Sequence, residues 1–176
     1  MRVLFQISGS IACYKACSVV SRLVQDGHSV KCVSSEAALH FVGRATWEGL
    51  TGERLHTDTF APGEAMAHIE LGKWADILVL CPASASRLNK LSAGLGDDLV
   101  GAIFLAHDFA KPYLIAPAMN SRMWNHPSTV ESISRLKGWG ATFIDPESGS
   151  LACGETGDGR LAAPETILAA ILAAKP

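Results

Sequence analysis

The chain has 176 residues, 48% of them hydrophobic, and a formal net charge of −2 at pH 7. This is typical of one folded domain and gives no basis for binding nucleic acid or an anionic membrane. The sequence contains no run of about 18 apolar residues that would indicate a membrane span. MRVLFQISGS lacks the long apolar region and cleavage site of a signal peptide, so a cytoplasmic protein is predicted.

Short apolar segments alternate along the chain with longer segments of helical spacing. The five predicted strands are 3–8, 29–35, 76–83, 112–118 and 141–146. The five predicted helices are 11–27, 86–95, 98–108, 126–140 and 164–174. Strands that are apolar on both faces and alternate with helices indicate a parallel sheet covered on both sides, with right-handed crossovers. The predicted fold is therefore α/β, a doubly wound parallel sheet in a single domain over residues 1–176.

The five cysteines form no CxxC pair. In a chain without a secretion signal, this favours free thiols over disulfides, and no metal site is expected. Four of them, Cys13, Cys17, Cys32 and Cys81, lie among apolar residues and are predicted to pack in the core.

Small and hydroxyl-bearing residues follow four of the strands, at the positions where an open parallel sheet binds ligands. They read SGSIA (8–12), SSEAA (34–38), PASAS (82–86) and PAMNSRMW (117–124). The first three combine backbone N–H groups, serine hydroxyls and a positive helix end, which together bind anions, usually phosphate. The first turn is not GxGxxG, and no suitably placed acidic residue follows the second strand to bind a ribose. A mononucleotide therefore fits better than NAD.

Five blocks occur in one order along the chain: SGSIACYK, HIELGKWAD (68–76), PASASRLNKLSAGLGDDL (82–99), PAMNSRMW and ACGETGDGRL (152–161). With these blocks the chain resembles the flavin-containing cysteine decarboxylases from end to end, most of all the phosphopantothenoylcysteine decarboxylase branch. The resemblance implies a Rossmann-like domain that binds FMN, with a mobile substrate flap at about 148–162. It also implies a homo-oligomer, either a trimer or a dodecamer of trimers. Two blocks depart from the usual pattern, because PASAS replaces an Asn-Thr ending and GRL replaces GRM.

The resemblance implies functional roles for residues to which spacing alone would assign structural ones. His68, otherwise a surface or capping histidine, would be the general base or proton relay, a task suited to a group that titrates near neutrality. Asn120, otherwise an N-cap, would hold the substrate carboxylate, and Met123 would line the same pocket. Phe41 would stack on the flavin or, alternatively, pack in the core. The remaining candidates for FMN binding are Ser8, Gly9, Ser10, Ser34, Ser84, Ala85 and Ser86.

The reaction implied by the resemblance is the decarboxylation of 4′-phosphopantothenoylcysteine to 4′-phosphopantetheine in coenzyme A biosynthesis. Flavin oxidises the CH₂–SH group to a thioaldehyde, the C=S bond accepts electrons as CO₂ leaves, and the resulting ene-thiol is reduced again. Cys153 would protonate the ene-thiol, and the glycines around it would let the flap close and reopen. Lys15 and Arg160 are candidates for contacting the substrate phosphate.

Other functions stay open from the sequence. A peptidyl-cysteine decarboxylase of lantibiotic-type synthesis stops at the ene-thiol and does not need Cys153. A non-catalytic, flavin-binding regulatory subunit does not need His68, Asn120 and Cys153 together. A flavin prenyltransferase shares the fold, but PAMNSRMW and the cysteine flap fit it poorly. Many bacterial relatives are fused to a synthetase that adds cysteine, and two arrangements are open for this chain: a stand-alone decarboxylase, or the partner of a separate phosphopantothenate–cysteine ligase.

Overall fold

Five parallel strands form the central sheet of the protein, whose computed structural model describes residues 1–60, 65–150, 152 and 154–174. Their spatial order is β2-β1-β3-β4-β5. The strands are β1 (Arg2–Ile7), β2 (Ser29–Ser34), β3 (Ile77–Ala83), β4 (Tyr113–Pro117) and β5 (Thr142–Phe143). The order reverses between β1 and β3, which is the point where doubly wound sheets bind ligands. The predicted parallel α/β sheet is confirmed.

Helices cover both faces of the sheet. The first face carries α1 (Cys13–Gln25), α3 (Arg44–Thr51) and α9 (Pro164–Ala173). The second face carries α4 (Ala67–Trp74), α5 (Ala85–Ser92), α6 (Leu99–Leu105) and α8 (Pro127–Gly138). Two short helices, α2 (Glu36–Leu39) and α7 (Ser121–Trp124), follow β2 and β4. None of the helices in the described ranges is long and apolar enough to cross a membrane.

Alternation along the strands divides the core into two layers, one on each face of the sheet. In β3, Ile77 and Val79 pack towards the α1 face, whereas Leu78 and Leu80 pack towards the α4 face, and all four are fully buried. Successive side chains of a strand point to opposite faces, so a strand covered on both sides must be apolar throughout. Burial of each such side chain contributes about 1.5–3 kcal/mol. These two layers hold the carboxyl ends of β1 and β3 in place.

Several elements lie where the sequence predicts none. They include α3, α4 and an antiparallel hairpin of β6 (Glu147–Ser150) and β7 (Thr156–Arg160). The hairpin reads ESGS and TGDGR, without apolar alternation, and α4 buries only Ala67 and Leu71. Short elements with so few apolar residues carry no periodic signal in the sequence.

The four described cysteines are free thiols, as their spacing predicts. Cys13, Cys32 and Cys81 are buried in the core layer beneath α1. Cys17 is half-buried, and desolvation raises the pKa of its thiol to about 11. These thiols therefore stay protonated at neutral pH and act as packing residues.

Candidate functional site

The turns after β1 and β3, both predicted to bind phosphate, are tied together by one hydroxyl. Ser8 Oγ donates to the Pro82 carbonyl at 2.8 Å and accepts from the Ser84 backbone N–H at 2.9 Å. Ser8 is 2% exposed, so this hydroxyl is committed to the protein. Ser8 and Ser84 are brought together as the sequence predicts, and Ser8 serves to hold the two turns in register.

The turn after β3 is supported by a partly buried ion pair. Ser84 is the N-cap of α5 and accepts from the Arg87 backbone N–H. The Arg87 guanidinium is nearly buried and pairs through both terminal nitrogens with Asp98, which in turn caps α6 by accepting from Gly101 N–H at 2.9 Å. Charge-assisted, bidentate pairs of this type fix geometry well. Ser86 lies exposed in the first turn of α5, directly after this turn.

The turn after β2 presents a hydroxyl that the sequence reasoning missed. Ser34 Oγ donates to the Ser35 carbonyl at 2.9 Å, whereas Ser35 Oγ is buried and has no hydrogen-bond partner in the part of the chain that the structure describes. Leaving such a group unpaired costs roughly 1–3 kcal/mol, a cost that a bound acceptor or donor would remove. The hydroxyl of Ser35, rather than that of the predicted Ser34, is therefore available to hydrogen-bond a ligand. Its position directly after the strand, at the N-cap of α2, is the signal that could have identified it.

Gly9 allows the first two turns to approach closely. A Cβ at Gly9 would lie 2.8 Å from the Cβ of Ala37, which is closer than real side chains pack. Glycine is therefore required at this position for contact between the turns. Next to it, Ser10 Oγ accepts from the Ala12 backbone N–H at 3.2 Å and remains half-exposed. The first turn thus contacts both of the other turns, and the region where the three meet at the carboxyl ends of the strands is here called the crevice.

Phe41 lies beyond α2, and its side chain is 47% exposed. This exposure excludes the alternative in which the ring packs in the core of the single chain. The stacking of Phe41 on a flavin stays a prediction.

A cavity of about 390 Å³ opens beside the crevice and is here called the Asn120 cavity. Three parts of the chain form its walls: the start of α1 with Ser10 and Lys15, the end of β4 with Asn120, and the hairpin with Ser150 and Arg160. Elements distant in sequence therefore meet around one space at the edge of the sheet where ligands bind.

Asn120 combines the two roles considered from the sequence. Its Oδ1 accepts from the Met123 backbone N–H at 2.9 Å and caps α7. Because the cap uses the amide oxygen, the NH₂ group is left as a donor, without a partner among the described residues. Met123 is 43% exposed and does not line this cavity, so the predicted shared pocket is not formed within the single chain.

The hairpin packs directly on the turn that carries Asn120. Met119 N–H donates to the Gly159 carbonyl, and Ser121 Oγ donates to the Asp158 carbonyl, both at 2.9 Å. A Cβ at Gly157 would lie 2.3 Å from Ser121 Oγ. In the segment predicted as a flap at about 148–162, residues 157–159 therefore pack against residues 119–121. Cys153, predicted at its centre, lies outside the described residues.

Replacing Gly159 by alanine is expected to disrupt the packing of the hairpin against residues 119–121. The residue has a φ of +108°, and its Cβ would lie 2.5 Å from the Met119 carbonyl oxygen. Gly159→Ala should destabilise the fold by at least ~1 kcal/mol more than Gly27→Ala, whose φ of +81° carries similar strain but whose Cβ meets nothing within 4 Å. Urea unfolding measures the difference, and limited proteolysis should cut 147–160 faster in the Gly159 variant alone. Equal behaviour of both variants would mean that the contact does not seat the hairpin.

His68 lies in a second cavity, of about 290 Å³, between α4 and α6 on the other face of the sheet. Its Nδ1 atom is buried and has no hydrogen-bond partner within the described ranges of the chain. Lys73 and His107 line the same cavity, and burial lowers the pKa of His107. None of the described residues lines both cavities. His68 and Asn120, predicted for one site, are therefore not brought together within one chain.

Lys111 holds the helix that carries His68, a role that the sequence did not reveal. Its Nζ donates to the carbonyls of Gly72, Lys73 and Ala75 at 3.0, 2.9 and 2.6 Å. These carbonyls lie at the carboxyl end of α4, where a cation also interacts favourably with the helix dipole. The position of α4, and with it that of His68, therefore depends on the segment leading into β4.

A family profile described as Flavoprotein matches residues 1–175, which is nearly the whole chain. The chain belongs to the Flavoprotein family. Among curated relatives, the coenzyme A biosynthesis bifunctional protein CoaBC of Mycolicibacterium smegmatis is 43% identical over 166 residues. The match covers 94% of this chain and 40% of the relative. The chain thus spans about two fifths of the length of this bifunctional relative.

Two solved structures of Flavoprotein relatives have the same fold over almost the whole chain. A cysteine-to-serine mutant of PPC decarboxylase complexed with pantothenoylaminoethenethiol is 34% identical, with a TM-score of 0.87. The match covers 98% of this chain and 96% of that one. The FMN binding protein AtHal3 is also 34% identical, with a TM-score of 0.83 and coverage of 98% and 95%.

Proposed function

We propose that the protein is an FMN-dependent decarboxylase that converts 4′-phosphopantothenoylcysteine to 4′-phosphopantetheine in coenzyme A biosynthesis, in the cytoplasm. The observation that carries this proposal is the Asn120 cavity, in which an amide NH₂ donor faces a space walled by the seated hairpin. The names of the relatives support it. The substrate would be supplied by a phosphopantothenate–cysteine ligase, in keeping with the bifunctional relatives.

The crevice at the carboxyl ends of the strands fits FMN. Ser10, Ser35 and Ser86 offer hydroxyl groups there, and the unpaired Ser35 Oγ in particular lacks a partner that a phosphate oxygen would supply. Gly9 keeps the turns close enough for backbone N–H groups to face the same ligand. FMN, when bound, supplies the two-electron acceptor without which α-decarboxylation of a cysteine amide would leave an unstabilised carbanion.

Asn120 is proposed to hold the carboxylate that leaves as CO₂. Its NH₂ group donates a hydrogen bond but carries no positive charge, so Asn120 itself orients the carboxylate without forming an ion pair that loss of CO₂ would have to break. The hairpin, packed against residues 119–121, closes the Asn120 cavity from the side and limits access of water. Cys153 is proposed to protonate the ene-thiol before it is reduced.

A second copy of the chain is proposed to complete the site. His68 and Asn120 line separate cavities, and the imidazole Nδ1 has no partner among the described residues of its own chain. Apolar side chains are exposed beside the Asn120 cavity, with Ile11 at 56% and Tyr14 at 61%. A neighbouring chain could cover these residues and bring its His68 to the substrate. The proposed assembly is a trimer, or a dodecamer of trimers.

The proposal is tested by the absorption spectrum and the reaction of the purified protein. We expect a yellow protein that releases FMN on denaturation and forms CO₂ from 4′-phosphopantothenoylcysteine. A folded, colourless protein that cannot be reconstituted with FMN would contradict the proposal. Activity only on a peptide ending in cysteine would favour a peptidyl-cysteine decarboxylase, and bound FMN without CO₂ release from either substrate would favour a regulatory subunit.

A further inference from the structure

Most basic side chains in the described part of the chain already have partners. Ion pairs engage Arg2, Arg22, Arg44, Arg87, Lys90, Arg122 and Arg135. Lys31 and Lys137 lie over aromatic rings, Lys111 binds backbone carbonyls, and Arg54 also has a partner. The described lysines and arginines without a partner are Lys15, Lys73 and Arg160. Two of these three, Lys15 and Arg160, line the Asn120 cavity.

The Asn120 cavity is positively charged within a chain of net charge −2. No acidic side chain lines it among the described residues, so the charges of Lys15 and Arg160 are not compensated there. Two cations beside one cavity raise the potential inside it and favour an anion of matching charge. A carboxylate carries one negative charge, whereas a phosphate monoester carries close to two at neutral pH. The charge therefore matches a phosphate monoester better than a second carboxylate.

The hairpin leaves the Arg160 guanidinium free to lie beside the cavity. Arg160 pairs in register with Glu147 across the hairpin, but the Glu147 carboxylate accepts from the Ala163 backbone N–H at 2.7 Å and forms no ion pair with Arg160. The guanidinium instead lies over Gly149, where a Cβ would come within 2.9 Å of its Nη1. Glycine at 149 thus makes room for the arginine, and the carboxylate opposite it in the hairpin is engaged elsewhere.

Lys15 reaches the same cavity from the first turn of α1, where its side chain is half-buried. Lysine contributes a compact charge, and arginine contributes a planar set of donors that can bind two phosphate oxygens at once. The two side chains come from different walls of the cavity. They could therefore hold one anion from two sides.

We propose that Lys15 and Arg160 form a subsite for the phosphate monoester of the substrate and so select phosphorylated over unphosphorylated acyl-cysteines. This inference rests on the proposed decarboxylase function. Asn120 would bind the cysteine carboxylate at the reacting end of the substrate, and Lys15 and Arg160 would bind the phosphate at the other end. Binding energy from the remote phosphate would then position the reacting group.

The test compares kcat/KM for 4′-phosphopantothenoylcysteine and for pantothenoylcysteine, which lacks the phosphate. Lys15→Ala and Arg160→Ala should each lower kcat/KM for the phosphorylated substrate by about 10–100-fold, as expected for a lost charged hydrogen bond. The value for the unphosphorylated substrate should change by less than about twofold. Arg160→Lys should keep part of the preference. Arg22→Ala, which removes an exposed cation from the same helix as Lys15, is the matched control and should change neither value.

Binding measurements separate this inference from the proposed function. Calorimetry with 4′-phosphopantetheine and pantetheine should show the same selective loss in both alanine variants, whether or not turnover is seen. An equal loss for both substrates would assign the cations to the carboxylate and overturn the inference. Loss of bound FMN in the variants would assign them to the cofactor phosphate. If neither substrate reacts with the wild-type protein, the proposed function fails, while the binding comparison still decides on the subsite.

Discussion

Replacing His68 by asparagine is expected to lower CO₂ release by about 10²–10⁴-fold, as is typical for the loss of one acid–base group. Asparagine keeps polarity and hydrogen-bonding capacity near the position of the imidazole, but it does not titrate. FMN should stay bound, because His68 lies on α4 and apart from the crevice turns. CO₂ release and flavin absorbance of the same preparation measure both effects.

The matched control for this change is His126→Asn. His126 is an exposed N-cap of α8 whose Nδ1 accepts from the Ser128 backbone N–H at 3.2 Å, a role that asparagine performs well. This variant should keep both full activity and its FMN. Near-normal turnover in His68→Asn would instead show that the imidazole has a packing role.

His68→Asn also tests whether the site lies between chains. His68→Asn and Asn120→Asp should each be inactive alone. When the two are refolded together, mixed oligomers should regain part of the activity, because some sites combine an intact His68 from one chain with an intact Asn120 from another. No recovery in mixed oligomers, or a fully active monomer by light scattering, would mean that one chain holds a complete site.

Replacing Cys153 by serine is expected to change the product rather than stop CO₂ release. A thiol with a pKa of about 8.5 can protonate the ene-thiol at neutral pH, whereas a serine hydroxyl is a far weaker acid. Oxidation and loss of CO₂ precede this step and should survive. The variant should therefore release an ene-thiol lighter than 4′-phosphopantetheine by the mass of dihydrogen, which mass spectrometry detects.

Cys17→Ser is the control for the loss of a thiol. Cys17 Sγ donates to the Cys13 carbonyl one turn earlier in α1, at 3.4 Å, and a serine hydroxyl can make the same bond. This variant should form the saturated product at the normal rate. Saturated product from Cys153→Ser at the normal rate would exclude Cys153 as the proton donor. If the wild-type protein itself stops at the ene-thiol, the peptidyl-cysteine type of reaction is favoured.

The central sheet is predictable from the sequence because the apolar residues that define each strand are close together along the chain. β1 and β3 are buried on both faces and appear as continuous apolar runs, and the serine-rich turns follow directly from where these runs end. The β6–β7 hairpin is not predictable in this way, because its strands are polar and its position depends on residues 119–121. Periodicity carries no information about a contact of that kind.

In the candidate site, too, the sequence motifs are predictable, whereas the hydrogen bonds and the packing of the site residues are not. The SSEAA turn marks a ligand-binding region, but only the hydrogen bonds show that the hydroxyl of Ser34 is engaged and that of Ser35 is not. The motifs name His68 and Asn120 but do not show that the two residues line separate cavities. That separation follows from the packing of α4 on the opposite face of the sheet.

Lys111 and Asn120 stand at opposite ends of β4, and this placement ties the two halves of the proposed site to a single strand. Lys111 enters the strand and anchors the carboxyl end of the helix bearing His68, while Asn120 follows its exit. β4 is fully buried between β3 and β5 and cannot slide without breaking its register on both sides. The positions of α4 and of the Asn120 turn are therefore both fixed relative to this one strand. Each subunit of the proposed assembly would then present a histidine and an asparagine whose relative placement is set within its own chain.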